Sequence, residues 1–196
     1  IRCGRGGETM SQGAVVILGA GHAGGSVAAF LRQYGHQGPI TLVGDEPIAP
    51  YQRPPLSKAW LKGEADAEGL ALKPLAFYAA NGIDFRVGST AVALDPRARA
   101  VKLSDGASLS YDALILATGA RAISLPVEGA DLDGVLSLRT AADAEALKAR
   151  LGPGKTLVVV GGGYIGLEVA ASGRVLGAEV VVVEREDRVL ARVACK

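Results

Sequence analysis

The stretch Val15-Val16-Ile17-Leu18-Gly19-Ala20-Gly21-His22-Ala23-Gly24 decides the fold of this chain. Residues 14–18 form a short apolar run of the kind that makes a buried parallel strand, and glycine ends it. An amphipathic run over residues 23–34 follows. It spaces Val27, Phe30, Leu31 and Tyr34 as one core-facing helical stripe. Gly35 and Gly38-Pro39 stop that helix, residues 40–43 make a second strand, and Asp45-Glu46 stands at its tip. Strand, glycine turn, helix, strand and acid together are the pattern of a dinucleotide-binding unit. Gly19 allows the tight turn, Gly21 lets a pyrophosphate approach the backbone, and Gly24 lets helix and strand pack closely. The helix start then offers unpaired N–H groups to the phosphates. His22, inside the turn, has no partner acid or nucleophile in the pattern and reads as a packing or solvent residue.

The unit recurs. Residues 157–160 are strand, Gly161-Gly162-Gly163-Tyr164-Ile165-Gly166 is the turn, and Ile165, Val169, Ser172 and Leu176 line one helix face. Residues 179–183 are the next strand, with Glu184 at its tip. A mononucleotide-binding half has three strands, so this second unit is incomplete and the chain reads as an N-terminal fragment. Between the two copies, Pro47, Pro50, Pro54, Pro55 and Pro74 mark an irregular excursion over residues 46–74, with a short helix at 57–61. A helix at 74–81 follows. Residues 83–117 then turn to period two, with a hairpin signal at Asp105-Gly106 and a buried strand at 113–117 ending in Thr118-Gly119. Thr140 and Asp143 form a capping box. The expected fold class is therefore α/β: a Rossmann-like nucleotide-binding fold with a β-meander insertion, then an incomplete second Rossmann-like unit. Its expected divisions are a disordered or extraneous tail (1–13), a first nucleotide-binding domain (14–121), a connecting segment with a helix (122–154) and the start of a second domain (155–196).

Composition narrows the function. With 49% hydrophobic residues among 196, a substantial core is available, and a net charge of +1 with mixed signs argues against a nucleic-acid partner. Two histidines and two cysteines at opposite ends, Cys3 and Cys195, supply no metal-ligand cluster, and both thiols read as free. No apolar run approaches the ~20 residues of a membrane helix. Residues 1–9 lack an apolar signal core, which makes the cytoplasm the default location.

Two glycine turns, each followed by an acid, call for two adenosine diphosphate groups, and a flavin with a nicotinamide is the pair that suits one chain. Glu184 accepts from a ribose 2′-hydroxyl and repels a 2′-phosphate, which favours NADH over NADPH, although Arg185 stands beside it. On the residues alone, Lys58 and Arg53 read as solvated charge. Glu168, in the first turns of a helix, reads as an acid favoured by the helix dipole.

Pro50-Tyr51-Gln52-Arg53-Pro54-Pro55-Leu56-Ser57-Lys58 resembles the signature stretch of FAD-containing, NADH-using ferredoxin reductases. Thr118-Gly119-Ala120-Arg121 is similar to their second flavin motif, and Gly161 to Glu168 to their NADH motif. The resemblance runs from about residue 14 to residue 193. It implies electron transfer from NADH through FAD to a ferredoxin-type iron–sulfur protein that serves a cytochrome P450 or a ring dioxygenase. It also implies that Gly19, Gly21, Ala23 and Gly24 cradle the FAD pyrophosphate and that Asp45, rather than Glu46, takes the ribose. Arg53 would lie beside the flavin phosphates, Lys58 at the isoalloxazine, and Ala91 at the adenine through its backbone. Thr118, Gly119, Arg121 and Arg139 would pack along the cofactor. Glu168 would lie near Lys58 and the nicotinamide, which Gly161, Gly163, Tyr164, Ile165, Gly166 and Glu184 would help to bind. Rubredoxin reductases, a nitrite reductase component and the redox-regulated apoptosis-inducing factor are the alternatives within this resemblance. Family members are longer, so little turnover is expected of the fragment itself. No cysteine lies between Gly4 and Ala194, so no internal disulfide within that span relays electrons from the flavin.

Overall fold

In the computed structural model, which describes residues 12–195, the chain's contacts divide it into two units, and each is discontinuous in sequence. The first comprises the residues up to 52 together with 71–119. The second comprises 53–70 together with 120 onward. The excursion expected to belong wholly to the first domain thus contributes residues 53–70 to the second unit. Cys3 and nearly all of the tail at 1–13 lie outside the described residues.

The first unit begins with β1 (Val15–Leu18), α1 (His22–Gln33) and β2 (Ile40–Gly44). The second unit then takes a 3-10 turn at Pro54–Ser57, α2 (Ala59–Lys62) and α3 (Ala67–Leu70). The chain returns to the first unit through α4 (Leu75–Ala80), β3 (Ile83–Val87), β4 (Ala91–Asp95), β5 (Ala100–Leu103), β6 (Ser108–Ser110) and β7 (Ala113–Leu116). Four of these strands form a parallel sheet in the order β3-β2-β1-β7. Here β3 departs from expectation: its period-two pattern placed it in the meander, yet it pairs in parallel with β2. It is an edge strand, with Ile83 buried and Asp84, Arg86 and Val87 exposed, and half-exposure produces the same alternation as a meander strand.

Alternation within β1 shows how the sheet is covered. Val15 and Ile17 point into a cluster with Ala28 of α1 and Tyr78 of α4, whereas Val16 and Leu18 point into a cluster with Val101 and Leu103. One face is therefore covered by helices and the other by the antiparallel three-stranded meander β4-β5-β6. The side of α1 that is buried also differs from expectation. Gly24, Gly25 and Ala28 are buried, Val27 and Leu31 partly so, while Phe30 and Tyr34 are 50% and 70% exposed. Gly24 lies against the end of β1 and Gly25 against Pro50 and Tyr78, in each case too close for a larger side chain. At the far end of α1, the Arg32 guanidinium donates to the carbonyls of Asn81, His36, Gly38 and Gly82, tying the helix to the turn that opens β3.

The second unit continues with α5 (Ala141–Lys148), β8 (Thr156–Val160), α6 (Tyr164–Val175) and β9 (Glu179–Val183). The expected capping box is formed: Asp143 N–H donates to Thr140 Oγ1, and Asp143 Oδ2 accepts from Thr140 N–H. β8 and β9 pair in parallel. One face of this pair packs under α6, and Leu61 of α2 completes the core beside Leu147, Val159, Val169 and Ala170. Leu61 is fully buried, a burial worth about 1.5–3 kcal/mol. On the opposite face Val158, Val160, Val181 and Val183 are each at least half exposed.

Gly24 tests the closeness of the α1–β1 contact. A Cβ there would run into the carbonyl oxygen of Gly19 and come within 3.3 Å of Ile17 Cγ2. Gly24→Ala is expected to cost about 3 kcal/mol or more in a urea melt, because the obstacle is backbone that cannot rotate away.

Candidate functional site

The two glycine turns have nearly the same backbone. Gly19 and Gly161 take φ of 105° and 109°, which only glycine adopts without strain. Their N–H groups donate to the carbonyls of Val43 and Val183 at 2.9 and 2.8 Å, joining each turn to the neighbouring strand. Gly21 and Gly163 are the N-caps of α1 and α6, both extended, and no side chain caps either helix. The first-turn N–H groups of both helices, which have no intrahelical acceptors, are thus left to an anionic ligand. Gly166 repeats Gly24, since a Cβ on it would meet the Gly161 carbonyl oxygen.

Other candidates in the first unit gather around its turn. Ala23 is exposed on the first turn of α1. A Cβ on Gly19 would lie 2.9 Å from Thr118 N, so the end of β7 abuts the turn, with Thr118 and Gly119 exposed. Asp45, just past β2, is exposed and has no hydrogen-bond or ion-pair partner among the described residues. Glu46 differs, because its Oε2 accepts from the Tyr51 hydroxyl at 2.6 Å. Asp45 is therefore the carboxylate left open. Ala91 opens β4 and packs partly buried against the meander-side cluster.

At the second turn Glu184 is already engaged. Its Oε2 accepts from Gly162 N–H at 2.6 Å and its Oε1 from Glu186 N–H at 2.9 Å. These backbone bonds, first that from Glu186 and then that from Gly162, hold its carboxyl below the ordinary glutamate range. Each oxygen retains a lone pair for a ribose hydroxyl. The Arg185 guanidinium is directed to Glu186, at 3.0 Å.

The second unit also carries a pocket of about 280 Å³ that is partly open to solvent. Arg53, Lys58, Arg139, Tyr164, Ile165 and Glu168 line it with Pro54, Leu56, Ser57 and Leu138, whereas Arg121, exposed in the same unit, is not part of the lining. Lys58 Nζ lies 2.6 Å from Glu168 Oε2, and the Ser57 hydroxyl donates to the same oxygen at 2.5 Å. Lys58 also reaches Ser57 Oγ at 3.3 Å. Hydrogen bonds from Lys58 and then Ser57 hold the Glu168 carboxyl below its ordinary value, against a smaller opposing effect of burial. One Arg53 nitrogen donates to the Arg139 carbonyl at 2.6 Å, and Arg139 Nε donates to the Ala120 carbonyl at 3.1 Å. Three cationic side chains and one acid thus surround the cavity, a lining suited to an anionic or electron-accepting guest.

Ser57 and Ser172 are the functional candidates that the chain's pattern did not single out. Ser172 Oγ donates to the Ser57 carbonyl at 2.7 Å, and both serines are 4% exposed. The available signal was spacing: Ser172 stands four residues after Glu168 on α6, which puts both on one helix face.

Residues 13–196 match the family model described as pyridine nucleotide-disulphide oxidoreductase. The chain belongs to that family. Among its relatives, a probable ferredoxin reductase, CtmF, of Castellaniella defragrans is 53% identical over 92% of this chain and 44% of its own length. The rhodocoxin reductase of Rhodococcus erythropolis is 51% identical over 91% of this chain and 42% of its own length. The reductase in a covalent putidaredoxin reductase–putidaredoxin complex superposes with a TM-score of 0.86 at 44% identity, over 93% of this chain and 45% of that one. The chain spans less than half the length of these relatives. The neighbour also bears out the Rossmann-like α/β fold. Among the described residues no helix is long and apolar enough to cross a membrane, and no group of three or more His, Cys, Asp or Glu residues could hold a metal ion.

Because the folded carboxyl is depressed, Glu168 contributes stability that is present above the ordinary glutamate value of 4.5 and is lost as pH falls through its lowered value. An acid titration of stability should therefore differ in slope between wild type and Glu168→Gln only in that acidic window, where the wild type loses its extra stability. The two curves should run parallel above it.

Proposed function

We propose that this chain is part of an NADH-dependent flavoprotein reductase that delivers electrons to a ferredoxin-type iron–sulfur protein. The observation that carries this reading is the repeated uncapped glycine turn, one per unit, each with a carboxylate at the tip of the following strand. The donor sets fit two dinucleotides: N–H groups at both helix starts for the pyrophosphates, and Asp45 and Glu184 for the riboses. Asp45 has no hydrogen-bond or ion-pair partner among the described residues, and the backbone bonds to Glu184 favour its charged form. The first turn, with Thr118 and Gly119 beside it, would hold the adenosine diphosphate part of FAD, and the second that of NADH. FAD, when bound, supplies hydride acceptance from a nicotinamide and release of electrons one at a time.

The chain's own residues provide binding and electrostatics. Lys58 places a positive charge in the cavity, where it favours a guest that gains negative charge on reduction. Glu168 holds that ammonium in position at 2.6 Å. Arg53, with one nitrogen on the Arg139 carbonyl, adds a second oriented cation. The relatives' names support the choice of acceptor: they include rubredoxin-NAD(+) reductases and the ferredoxin--NAD(+) reductase component of a biphenyl dioxygenase system. A cytoplasmic location fits such a partner.

The whole protein should purify yellow, be bleached anaerobically by NADH, and recover its oxidised spectrum quickly when a ferredoxin is added. A colourless protein that takes up no FAD would overturn the reading. NADH should exceed NADPH in kcat/KM by roughly tenfold or more, since Glu184 repels a 2′-phosphate. Gly163→Ala separates binding from folding. Its Cβ meets open space at an ordinary φ of −81°, so stability should change by less than about 0.5 kcal/mol while NADH affinity drops sharply.

A further inference from the structure

We propose that Ser57 is a positioning residue for the Lys58–Glu168 pair, and that Ser172 in turn positions Ser57. The inference rests on the reading above for its catalytic consequence but not for its structural content. Ion pairing alone leaves this pair loosely defined. Lys58 is 44% exposed on a flexible stem, and attraction to Glu168 is satisfied equally by either carboxylate oxygen. The Ser57 hydroxyl removes that freedom. It is buried, and its bond to Glu168 Oε2, at 2.5 Å, is much shorter than its alternative contact with the Pro54 carbonyl, at 3.2 Å. Ser57 and Lys58 therefore converge on Oε2, and Oε1 keeps no protein partner among the described residues.

The serine is itself held at two points on α6. Its side chain binds Glu168, and its carbonyl accepts from the buried Ser172 hydroxyl one helical turn further on. Pro54 and Pro55 prescribe the 3-10 turn that brings Ser57 to this spot. Other charges near Glu168 do not replace the serine. Arg53 and Arg139 are directed to the carbonyls of Arg139 and Ala120, Lys62 is paired with Glu64, and Lys148 of α5 lies by Gly63. Tyr164, the other titratable group on the cavity wall, starts the same helix.

The test is a carboxyl-carbon NMR titration of Glu168 in the whole protein, its resonance assigned by its loss in Glu168→Gln. Ser57→Ala is expected to move the midpoint up toward the ordinary glutamate range, and Ser57→Thr, which keeps a hydroxyl, to bring it back. Ser172→Ala should shift it in the same direction as Ser57→Ala. With FAD bound, Ser57→Ala should also slow flavin reduction by NADH by roughly tenfold without lowering FAD content, the size expected when a hydrogen bond to a charged group is lost. An unchanged midpoint in Ser57→Ala, or in Ser172→Ala if Ser57→Ala does not fold, overturns the proposal. A shifted midpoint in a protein that takes up no flavin upholds the serine's role and overturns the functional reading instead.

Discussion

The approach of a helix to a strand at two glycines, with no side chain between them, is the constraint on which both units depend. At each turn the last glycine of the motif lies against the carbonyl of the first, in a space that a single Cβ would overfill. That contact sets the start of the helix beside the tip of the strand, and it leaves the first-turn N–H groups pointing away from protein. Stability and the binding proposed above would therefore draw on neighbouring atoms of the same turn. The absence of a capping side chain is consistent with this, because a serine or aspartate at Gly21 or Gly163 would occupy the N–H groups that a phosphate needs.

A second consequence concerns residues 53–70. They leave the first unit after Gln52 and pack their helix α2 into the core of the second, where Leu61 is fully buried. Lys58 is thereby carried to Glu168, which stands 110 residues later in the chain. The irregular, proline-rich part of the sequence thus contributes half of the ion pair, and the buried apolar residues Leu56 and Leu61 fix where it is delivered.

The turns, the acids, the strand β1 and the capping box at Thr140 were legible in the sequence because each depends on local chemistry. Gly19 needs a positive φ, and Thr140 needs only Asp143 three residues away. What sequence could not reveal depends on distant partners. Phe30 and Tyr34 fall on a helical stripe with Val27 and Leu31, yet the strands lie against Gly24 and Ala28, and Gly25 lies against Pro50 and Tyr78. Hydrophobic periodicity favours large side chains, whereas close packing here requires small ones. The pairing of β3 with β2 and the partners of Ser57 are likewise set by tertiary contacts between separated segments.

The two acids at the strand tips differ in readiness. Asp45, which has no partner among the described residues, would have to be immobilised by a ligand, a loss of side-chain entropy of about 0.5–1.5 kcal/mol. Glu184 is already locked by two main-chain donors, so a ribose bound there, as proposed above, would meet an acceptor whose rotamer is chosen in advance. On the function proposed, a nicotinamide dinucleotide would come and go with each turnover, and such a lock would spare it an ordering step at each encounter.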